Sequence, residues 1–430
     1  MALKEELESR GLLYQFTDDK FFEKYEKGGQ KFYCGYDPTA DSLHLGHFLT
    51  LMTATRLMQK GNIFYLLVGG ATGFIGDPSG KKSARALLDE TQLRHNQEAI
   101  TQQVKGLLEN IKQLAGGKFE FKVVNNYDFI KDMNVFDFFA KIGRYITVNT
   151  MISKESIKKR IEDPNLSITY TEFSYMLLQG HDFLHLYENE GVKLQIGGSD
   201  QWGNMVTGTE MIRKKLGNDV EADVMTIPLM LDSTGKKFWK SEGNAIWMDP
   251  TKNSPYFVYQ YFMNTVDADV ERFLKAFTLL SLEEIDEIVK KHEESPELRY
   301  GQKRLADYLI EVIFGKAARE QANKISEILF GNSDKMQILS QMNPEELQAL
   351  AHETGKVDFQ GEEMKLIDVL VLSWIATSNG DAKKLIQSGS ISFNEEKQDD
   401  IAKVITKSDL KNGVGLLRKG KKSYKVILQK

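Results

Sequence analysis

The segment 31–68 constrains the fold most, because it has the pattern of a strand, a helix and a second strand. KFYCGY at 31–36 and the continuous apolar run NIFYLLV at 62–68 are typical of strands, the second of a fully buried one. SLHLGHFLTLMTATRLMQK at 42–60 has apolar residues at helical spacing, and Gly61 then suits a helix end. A helix that connects two neighbouring strands implies parallel pairing. We therefore predict an α/β fold with a parallel sheet and helices on its faces.

Two further strand-like runs extend this pattern, FKVVNN at 121–126 and VKLQIGG at 192–198. In open α/β sheets, ligands bind beyond the carboxyl ends of the strands. Three such ends are rich in glycine or polar residues, at 35–37, 69–73 and 197–200. We expect these three ends to form one shared site.

The rest of the chain changes character twice. Residues 247–325 have a helical pattern, residues 326–360 are mixed and predict a connector, and the part from 361 predicts a small α+β domain. The net charge of −5 argues against indiscriminate binding of nucleic acid, but residues 401–430 carry nine Lys and Arg against Asp409 alone, a net +8. This asymmetry favours a nucleic-acid contact at the C-terminus, and the alternative is a solubilising tail.

Composition also bears on location. The single cysteine, Cys34, excludes an internal disulfide and fits a reducing cytosol. The N-terminal sequence MALKEELESRG has no basic region followed by an apolar one, so it predicts no secretory signal. No apolar run approaches the roughly 18 residues needed to cross a bilayer. We therefore expect a cytoplasmic protein without a membrane segment.

His44, Gly46 and His47 stand where the first strand becomes a helix. A structural zinc site wants four ligands, usually including several cysteines, so one cysteine argues against zinc. Two alternatives stay open: half-exposed helix histidines, or groups that act on phosphate. A helix N-terminus presents unpaired N–H groups, and residues at i and i+3 share a face. Two imidazole donors there suit negative charge that grows on transferred phosphate oxygens.

GGATGFIGDPSGKKS at 69–83 looks like a phosphate loop but matches no common nucleotide motif. In a Walker A alignment Ile75 would replace the first glycine, and Lys82 would replace the required Ser or Thr. The dinucleotide fingerprint G-x-G-x-x-G is absent as well. The glycines still permit close backbone approach, so a ligand site and a tight loop both stay open.

Two more segments carry polar groups in a suggestive arrangement. In the predicted helix TEFSYMLLQGHDFLHLYEN, at 171–189, Tyr175, Gln179 and Asp182 share one face. This face either meets solvent or converges on a polar ligand, since buried polar groups without partners are costly. STGKKFWKSEGN, at 233–244, is either a solvated basic hairpin or a mobile loop that binds phosphate.

Together these segments resemble a known family. HLGH at 44–47 and KFWKS at 237–241 resemble the HIGH and KMSKS signatures of class I aminoacyl-tRNA synthetases. YCGYDPTADSLHLGH, GGATGFIGDPSGKK, TEFSYMLLQGHDF and IGGSDQWGN are similar to segments of the bacterial-type tyrosyl-tRNA synthetases, and SNGDAKKLIQSGSISFN resembles their S4-like RNA-binding module. The resemblance implies a Rossmann-like catalytic domain at 1–246, a helical anticodon-side domain at 247–325, a connector at 326–360 and an S4-like RNA-binding domain at 361–430.

The resemblance also implies roles for individual residues. A tyrosine substrate would contact Tyr33 and Asp182 through its phenol and, around its ammonium group, Tyr175, Gln179, Asp77, Asn126 and Gln201. ATP would lie along Cys34, Gly35, Asp37, Gly46, Thr50, Gly198 and Asp200, and its phosphates would meet Thr39, His44 and His47 in the transition state. The departing pyrophosphate would be held by Lys81, Arg85, Lys237 and Lys240. The tRNA would contact Lys383, Lys384, Arg418, Lys419, Lys421 and Lys422.

The implied activity is ATP-dependent charging of tRNA(Tyr) with L-tyrosine by a homodimer. Magnesium would arrive with ATP, since the ion binds largely through phosphates and waters, and no zinc is expected. The segment 233–244 is called the lysine loop below. Trp239 in this loop departs from the family pattern, because glycine is common at its position. The departure puts the mobility of the loop in question, although both flanking lysines are present.

Three alternatives remain at this stage. Tryptophan activation on the same fold is disfavoured by the pair Tyr33 and Asp182 and by the S4-like end. A catalytically silent RNA-binding homologue is disfavoured by the intact motif residues, which are His44, His47, Lys237, Lys240 and Asp200. A small-molecule nucleotidyltransferase with an H-x-G-H site would predict no RNA module.

Overall fold

A computed structural model of the chain describes residues 1–77, 89–116, 119–163, 165–233, 235, 240–241, 244–420 and 423–429. The chain divides into two compact units, Met1–Gly315 and Lys316–Lys430. Each unit has a hydrophobic core of its own. Among the helices in the described ranges, none combines the length and the apolar character that a membrane crossing requires.

The first unit is built on a mixed sheet. Its strands are β1 (Gln15–Phe16), β2 (Lys31–Tyr36), β3 (Ile63–Val68), β4 (Glu120–Asn125), β5 (Leu194–Gly198) and β6 (Asp223–Ile227), and a separate short pair is β7 (Lys240–Ser241) and β8 (Asn244–Ala245). The order across the sheet is β1-β6-β5-β2-β3-β4, with β1 antiparallel at the edge and the other five strands parallel. The chain runs outward from β2 through β3 and β4, then returns to its other side through β5 and β6. The sheet therefore has its switch point between β2 and β5, where ligands of such folds bind.

Helices cover this sheet and continue beyond it, which confirms the predicted α/β class. They are α1 (Leu3–Ser9), α2 (Lys20–Lys27), α3 (Leu45–Gln59), α4 (Thr72–Ile75), α5 (Glu90–Ala115), α6 (Tyr127–Ile130), α7 (Val135–Lys141), α8 (Val148–Ser153), α9 (Glu155–Glu162), α10 (Tyr170–Glu190), α11 (Trp202–Leu216), α12 (Pro255–Met263), α13 (Asp267–Phe277), α14 (Leu282–Glu294) and α15 (Tyr300–Phe314).

The predicted strand–helix–strand unit is β2, α3 and β3. The helix begins at Leu45 rather than at residue 42, because His44 is its N-cap residue in an extended conformation (φ −111°, ψ 169°). Successive residues of β2 point to opposite faces of the sheet. Tyr33 therefore lies against Phe183 of α10, with ring centroids 5.4 Å apart, whereas Cys34 faces α3 on the other side.

α10 and α11 pack closely against each other on the Tyr33 face. A Cβ atom at Gly208 of α11 would lie 2.9 Å from the Cβ of Phe183, so glycine is needed for this approach. The start of α10 is fixed by a buried ion pair, in which Nη1 of Arg160 lies 2.8 Å from Oε1 of Glu172. These contacts set the direction of the helix that carries the three polar residues of one face.

A buried arginine connects α3 to α13. Arg56 is 1% exposed, and its guanidinium donates to the backbone carbonyls of Thr278 (2.5 Å) and Lys275 (3.2 Å) at the C-terminus of α13. Arg10 donates to the carbonyl of Lys275 as well, at 3.1 Å. Burial lowers the pKa of Arg56 to about 9. Cations at the end of a helix satisfy its last carbonyls and complement its dipole, so Arg56 joins α13 to α3 and Arg10 joins it to the end of α1.

The second unit is a mixed α+β arrangement. Its elements are α16 (Lys316–Phe330), α17 (Lys335–Ser340), α18 (Pro344–Thr354), β9 (Lys356–Phe359), β10 (Glu363–Lys365), α19 (Leu366–Leu372), α20 (Asn379–Gln387), β11 (Ile391–Phe393), β12 (Glu396–Gln398), β13 (Val404–Thr406), β14 (Val414–Lys419) and β15 (Ser423–Gln429). One sheet has the order β12-β11-β14-β15-β9, and β10 pairs with β13. The leucines and isoleucines of α19 and α20 pack on the larger sheet to form the core.

This division differs from the four predicted segments. β9 lies within the predicted connector but pairs in parallel with β15, with Lys356 opposite Val426. The compact second unit runs from Lys316 to Lys430 and thus includes part of the predicted helical segment, the predicted connector and the predicted C-terminal domain. The boundaries expected from the sequence stay a prediction.

Candidate active site

A cavity of about 340 Å³ opens at the carboxyl ends of β2 and β5. Residues from all three strand ends that the sequence singled out line it, among them Asp37, Thr72 and Gly198. Because Tyr33 and Cys34 point to opposite faces of β2, the cavity has one side against α10 and another against α3. The switch point of the sheet thus carries the candidate site.

The α10 side is polar yet closed to solvent. Tyr33 and Asp182 are each 1% exposed. Burial raises the pKa of the Asp182 carboxyl well above its usual range, although a hydrogen bond from Asn126 opposes this effect. Within the described residues, neither the Tyr33 hydroxyl nor Oδ1 of Asp182 has a hydrogen-bond partner. A buried polar atom without a partner is costly, so this side is suited to a ligand that supplies both a donor and an acceptor.

A chain of hydrogen bonds holds these groups in place. Nδ2 of Asn126 donates to Oδ2 of Asp182 at 2.9 Å and contacts Oγ1 of Thr72 at 3.0 Å. The Thr72 hydroxyl donates to Oδ1 of Asp37 at 2.7 Å, and the Tyr175 hydroxyl donates to Oδ2 of Asp37 at 2.7 Å. The network therefore runs from one wall of the cavity to the other, and it orients both carboxylates.

A second cluster surrounds Asp77. Nε2 of Gln201 lies 2.6 Å from Oδ2 of Asp77, and Nδ2 of Asn204 lies 3.3 Å from Oδ1. Gln179 lines the same cavity one helical turn from Tyr175, and its Oε1 has no hydrogen-bond partner among the described residues. Two carboxylates, an amide and a hydroxyl thus converge near the middle of the cavity, where they suit an ammonium group.

The α3 side begins with the two histidines. Their rings stack 3.8 Å apart with an interplanar angle of 10°. Nδ1 of His44 accepts from the N–H of Gly46 at 3.1 Å, and Nδ1 of His47 accepts from the N–H of His44 at 3.3 Å. Since Nδ1 is an acceptor in both rings, the neutral tautomer carries its proton on Nε2. Each histidine therefore presents an Nε2–H donor at the N-terminus of α3.

The chain after the lysine loop braces this helix start. The N–H of Leu45 donates to the carbonyl of Ile246 at 3.0 Å, and the N–H of Met248 donates to the carbonyl of Leu43 at 3.0 Å. The segment 246–248 follows directly on β8. Backbone hydrogen bonds thus join the start of α3 to the segment 246–248.

The floor of the α3 side contains the only cysteine. Cys34 is buried beside Thr50, whose hydroxyl bonds to that of Tyr36 at 2.8 Å. Burial raises the pKa of the Cys34 thiol to about 11. The thiol is therefore neutral near pH 7, and it does not serve as a nucleophile.

Comparison with known proteins now decides the family. A family model described as tRNA synthetases class I (W and Y) matches residues 26–331. The chain belongs to the class I tRNA synthetases. A second model, described as the tyrosine–tRNA ligase SYY-like C-terminal domain, matches residues 346–427.

Curated relatives place this synthetase among the tyrosine–tRNA ligases. Tyrosine–tRNA ligase 1 of Streptococcus thermophilus is 43% identical over 430 residues, which cover 99% of this chain and 100% of the relative. Tyrosine–tRNA ligase of Streptococcus agalactiae is 44% identical, and 99% of each chain is covered. These full-length matches and the C-terminal model disfavour the tryptophan alternative, and they confirm the resemblance stated from the sequence.

Solved structures agree in fold. A C-terminally truncated mitochondrial tyrosyl-tRNA synthetase of Aspergillus nidulans superposes with a TM-score of 0.69 at 29% identity, covering 76% of this chain and 94% of that one. Tyrosyl-tRNA synthetase of Archaeoglobus fulgidus, solved with L-tyrosine, gives a TM-score of 0.53 at 19% identity, covering 74% and 99%. The second likeness supports the fold alone.

Most of the residues assigned from the resemblance line one cavity of this synthetase. They are Tyr33, Asp77, Tyr175, Gln179, Asp182, Gln201, Cys34, Gly35, Asp37, Gly46, Thr50, Gly198, Asp200, Thr39, His44 and His47. Asn126 does not line the cavity but orients Asp182 from behind. Lys81, Arg85, Lys237 and Trp239 lie outside the described residues, as does the side chain of Lys240. The roles of all these residues stay predictions.

The residues assigned to tRNA fall in the second unit. Lys383 and Lys384 are exposed on α20. Arg418 and Lys419 end β14, where Arg418 donates to Oγ of Ser392 at 3.3 Å. Lys421 and Lys422 lie outside the described residues.

Sequence reasoning gave no individual role to three residues of the cavity region, although Thr72 lies in the strand end 69–73 that it singled out. Thr72 links the Asp37 and Asn126 groups, Asn204 supports Asp77, and Gln195 of β5 lines the cavity opposite Tyr33. Gln195 is 3% exposed, and its Oε1 has no partner among the described residues. A polar residue in the middle of an otherwise apolar strand was the available signal for Gln195.

Proposed function

We propose that this synthetase activates L-tyrosine with ATP and then transfers it to the 3′ end of tRNA(Tyr). In the first step the tyrosine carboxylate attacks the α-phosphorus of ATP and pyrophosphate leaves. In the second step a ribose hydroxyl of the tRNA attacks the acyl carbon of the adenylate, and AMP leaves. The names of the full-length relatives and the chemistry of the cavity both support this assignment.

The closed α10 side carries the proposal. Tyr33 and Asp182 leave one buried hydroxyl and one buried carboxylate oxygen without hydrogen-bond partners among the residues that the structure describes. A phenol hydroxyl donates one hydrogen bond and accepts others, so it satisfies both atoms at once. Phenylalanine would leave both unpaired, and its binding would bear that cost.

The rest of the tyrosine extends toward the centre of the cavity. Its ammonium group would meet the Asp37–Tyr175 pair, Asp77 and Gln179. These groups are already oriented by Thr72 and Gln201, so little rearrangement is needed on binding. The carboxylate would then point to the α3 side, where the α-phosphate of ATP lies.

The histidines would act on the transferring phosphate. Negative charge grows on the phosphate oxygens during in-line attack, and fixed donors stabilise it most in that state. The Nε2–H groups of His44 and His47 are such donors, and stacking limits the motion of their rings. No side-chain nucleophile is required, and the neutral Cys34 thiol fits this requirement.

Magnesium would enter with ATP as part of the substrate. Among the described residues, no group of three or more His, Cys, Asp or Glu side chains is arranged to hold a metal ion. The carboxylates of Asp37 and Asp77 already accept hydrogen bonds from neighbouring side chains. Binding through phosphate oxygens and water, as Mg²⁺ commonly does, is consistent with such a cavity, and we assign no protein cage.

The second unit is the proposed tRNA contact outside the catalytic cavity. The match to the tyrosine–tRNA ligase C-terminal domain and the exposed Lys383 and Lys384 support this role. Basic groups on one domain of an acidic protein concentrate phosphate attraction there. We propose a cytoplasmic location, because a chain whose single cysteine is free fits a reducing compartment.

We also propose a homodimer, because apolar side chains are exposed along 135–170. Phe136 is 81% exposed, and the others are Val135 (56%), Phe139 (51%), Val148 (58%), Ile152 (40%), Ile161 (51%) and Tyr170 (67%). Monomeric proteins seldom expose so many large apolar groups in one stretch of chain. A second copy of the chain would cover them.

Tyrosine-dependent exchange of pyrophosphate into ATP tests the function. The full chain should support exchange with tyrosine, and exchange with phenylalanine or tryptophan should be far slower. Faster exchange with tryptophan, or none with tyrosine, would refute the assignment. Subsequent charging of a tRNA(Tyr) transcript then tests the second step.

A further inference from the structure

Trp374 of the second unit has an unusual combination of exposure and backbone conformation. Its side chain is 90% exposed. It follows the C-cap of α19, and its N–H donates to the carbonyl of Val371 at 3.1 Å. Its φ angle is +59°, in the left-handed region that usually holds glycine just after a helix. A large residue with a Cβ is unfavourable there.

The other described non-glycine residues at positive φ have local explanations. Asn394 and Asn412 belong to a residue type that tolerates this region. Arg299 anchors its guanidinium on a backbone carbonyl at 2.7 Å, and Glu395 accepts from the N–H of Lys335 at 3.3 Å. The indole of Trp374 lies in solvent, so packing does not compensate for its backbone. Trp374 thus combines an unfavourable backbone conformation with an exposed apolar ring. This combination indicates a ligand-binding residue.

The surroundings of Trp374 are basic. Nζ of Lys419 lies 2.9 Å from the carbonyl oxygen of Ile375, the next residue in the chain. Lys384 lies on α20, which starts four residues further on after its N-cap Ser378. The hydrogen bond from the N–H of Thr377 (2.9 Å) and the charges of Lys419 and Lys384 lower the pKa of the Asp381 carboxyl. Both lysines therefore act on the segment that follows Trp374, where they favour bound anions.

We propose that Trp374 stacks on an unpaired base of the tRNA, while Lys384 and Lys419 attract the flanking phosphates. An indole offers a flat face to any base, and stacking of this kind needs no pairing edge. The inference rests on the proposed function and adds to it a residue and a mode of contact.

Binding of a tRNA(Tyr) transcript to the full-length protein tests the inference by filter binding and by quenching of tryptophan fluorescence. Trp374→Gly should weaken binding about tenfold or more, because base–aromatic stacking is lost. Trp374→Phe should retain most of the affinity, since a smaller ring still stacks. The thermal midpoint of Trp374→Gly should equal or exceed that of the wild type, because glycine accepts the φ of +59° without strain.

The matched control is Tyr14→Ala, which removes another exposed aromatic side chain (60%) from the first unit, outside the predicted anticodon-side segment 247–325, and should bind tRNA normally. A fully paired RNA duplex should bind wild type and Trp374→Gly equally. Equal affinity of the two for tRNA would overturn the proposal, and so would a shift in sedimentation of the RNA-free variant, which assigns the indole to a protein contact. Absence of tyrosine-dependent exchange in the wild type would instead count against the proposed function.

Discussion

Asn126 donates a 2.9 Å hydrogen bond from Nδ2 to Oδ2 of Asp182, and this bond leaves Oδ1 of the carboxylate directed at the cavity. A buried carboxylate with one donor is held in orientation, and part of the cost of its charge is offset. We therefore expect substrate selection to depend on Asn126, a residue that does not line the cavity.

Asn126→Ala should raise the KM for tyrosine about tenfold or more, because Asp182 loses its donor and its pKa rises further. The KM for ATP should change little. Steady-state pyrophosphate exchange measures both values. The control is Asn110→Ala, whose amide bonds to the Val312 carbonyl at 3.0 Å, away from the cavity. An unchanged KM for tyrosine would contradict the role given to Asn126.

Tyr33→Phe should have opposite effects on binding and on stability. Removing a buried hydroxyl without a described partner should raise the thermal midpoint of the free protein. The same change should lower the preference for tyrosine over phenylalanine by about tenfold, the value of one hydrogen bond of roughly 1.4 kcal/mol. Calorimetry and exchange with both amino acids measure the two effects. A lower midpoint together with full discrimination would refute this account.

His47→Gln should reduce kcat for adenylate formation by about 10²–10³, since one fixed donor to the transition state is lost. The KM values for tyrosine and ATP should stay within a few-fold, because the donor acts on charge that develops only during transfer. Single-turnover measurements separate this step from product release. His352→Gln is the control, as the His352 side chain is 78% exposed in the second unit. A defect confined to the KM for ATP would instead indicate ground-state binding.

His181 should make the protein sensitive to acid. Burial lowers its pKa from 6.5 to about 4, and the neighbouring His185 and Lys215 add to the effect. Between these values the unfolded chain binds more protons than the folded one, so stability falls as pH drops through this window. The loss attributable to this residue is at most about 3 kcal/mol.

His181→Leu should make the free energy of unfolding depend less on pH. Urea unfolding at pH 7.5 and pH 5 should show a smaller difference in the variant than in the wild type, whatever its stability at pH 7.5. His352→Leu serves as the comparison and should retain the wild-type difference. If the free energy of unfolding falls by the same amount between pH 7.5 and pH 5 in His181→Leu and in the wild type, other groups cause the loss of stability in acid.

Phe136→Asp should dissociate the proposed homodimer, because it places a charge in an apolar interface. Sedimentation should give a mass near that of the 49.0 kDa chain for this variant and about twice that for the wild type. Leu298→Asp, at another exposed apolar position, should leave the dimer intact. A monomeric wild type would remove the basis of the proposal.

The sequence predicted the parallel sheet because its signals are local. The helix at 171–189 and the strand at 62–68 appear as Tyr170–Glu190 and Ile63–Val68, since periodicity and apolar runs report on consecutive residues. The start of α3 shifted by three residues, because the cap geometry of His44 decides it. Boundaries of this kind depend on side-chain hydrogen bonds that periodicity does not contain.

Local sequence patterns could not predict the hydrogen bonds that connect residues of the site. Thr72 bonds to Asp37 across 35 residues of sequence and to Asn126 across 54, and no pattern within one element reports those distances. The sequence did bring most of the cavity residues together, but only through the resemblance to a family. Parallel pairing of β9 with β15 likewise joins segments about 70 residues apart, a contact that no local pattern indicates.

The contact of Arg56 with the end of α13 couples the position of α13 to that of α3. α3 is fastened near both ends, by the 246–248 segment at its start and by Arg56 on α13 near its finish. A substitution that disturbs the C-terminus of α13 should therefore also disturb the alignment of the His44 and His47 rings, although it does not contact them. Such variants would lie far from the cavity in the structure, yet they should lower kcat.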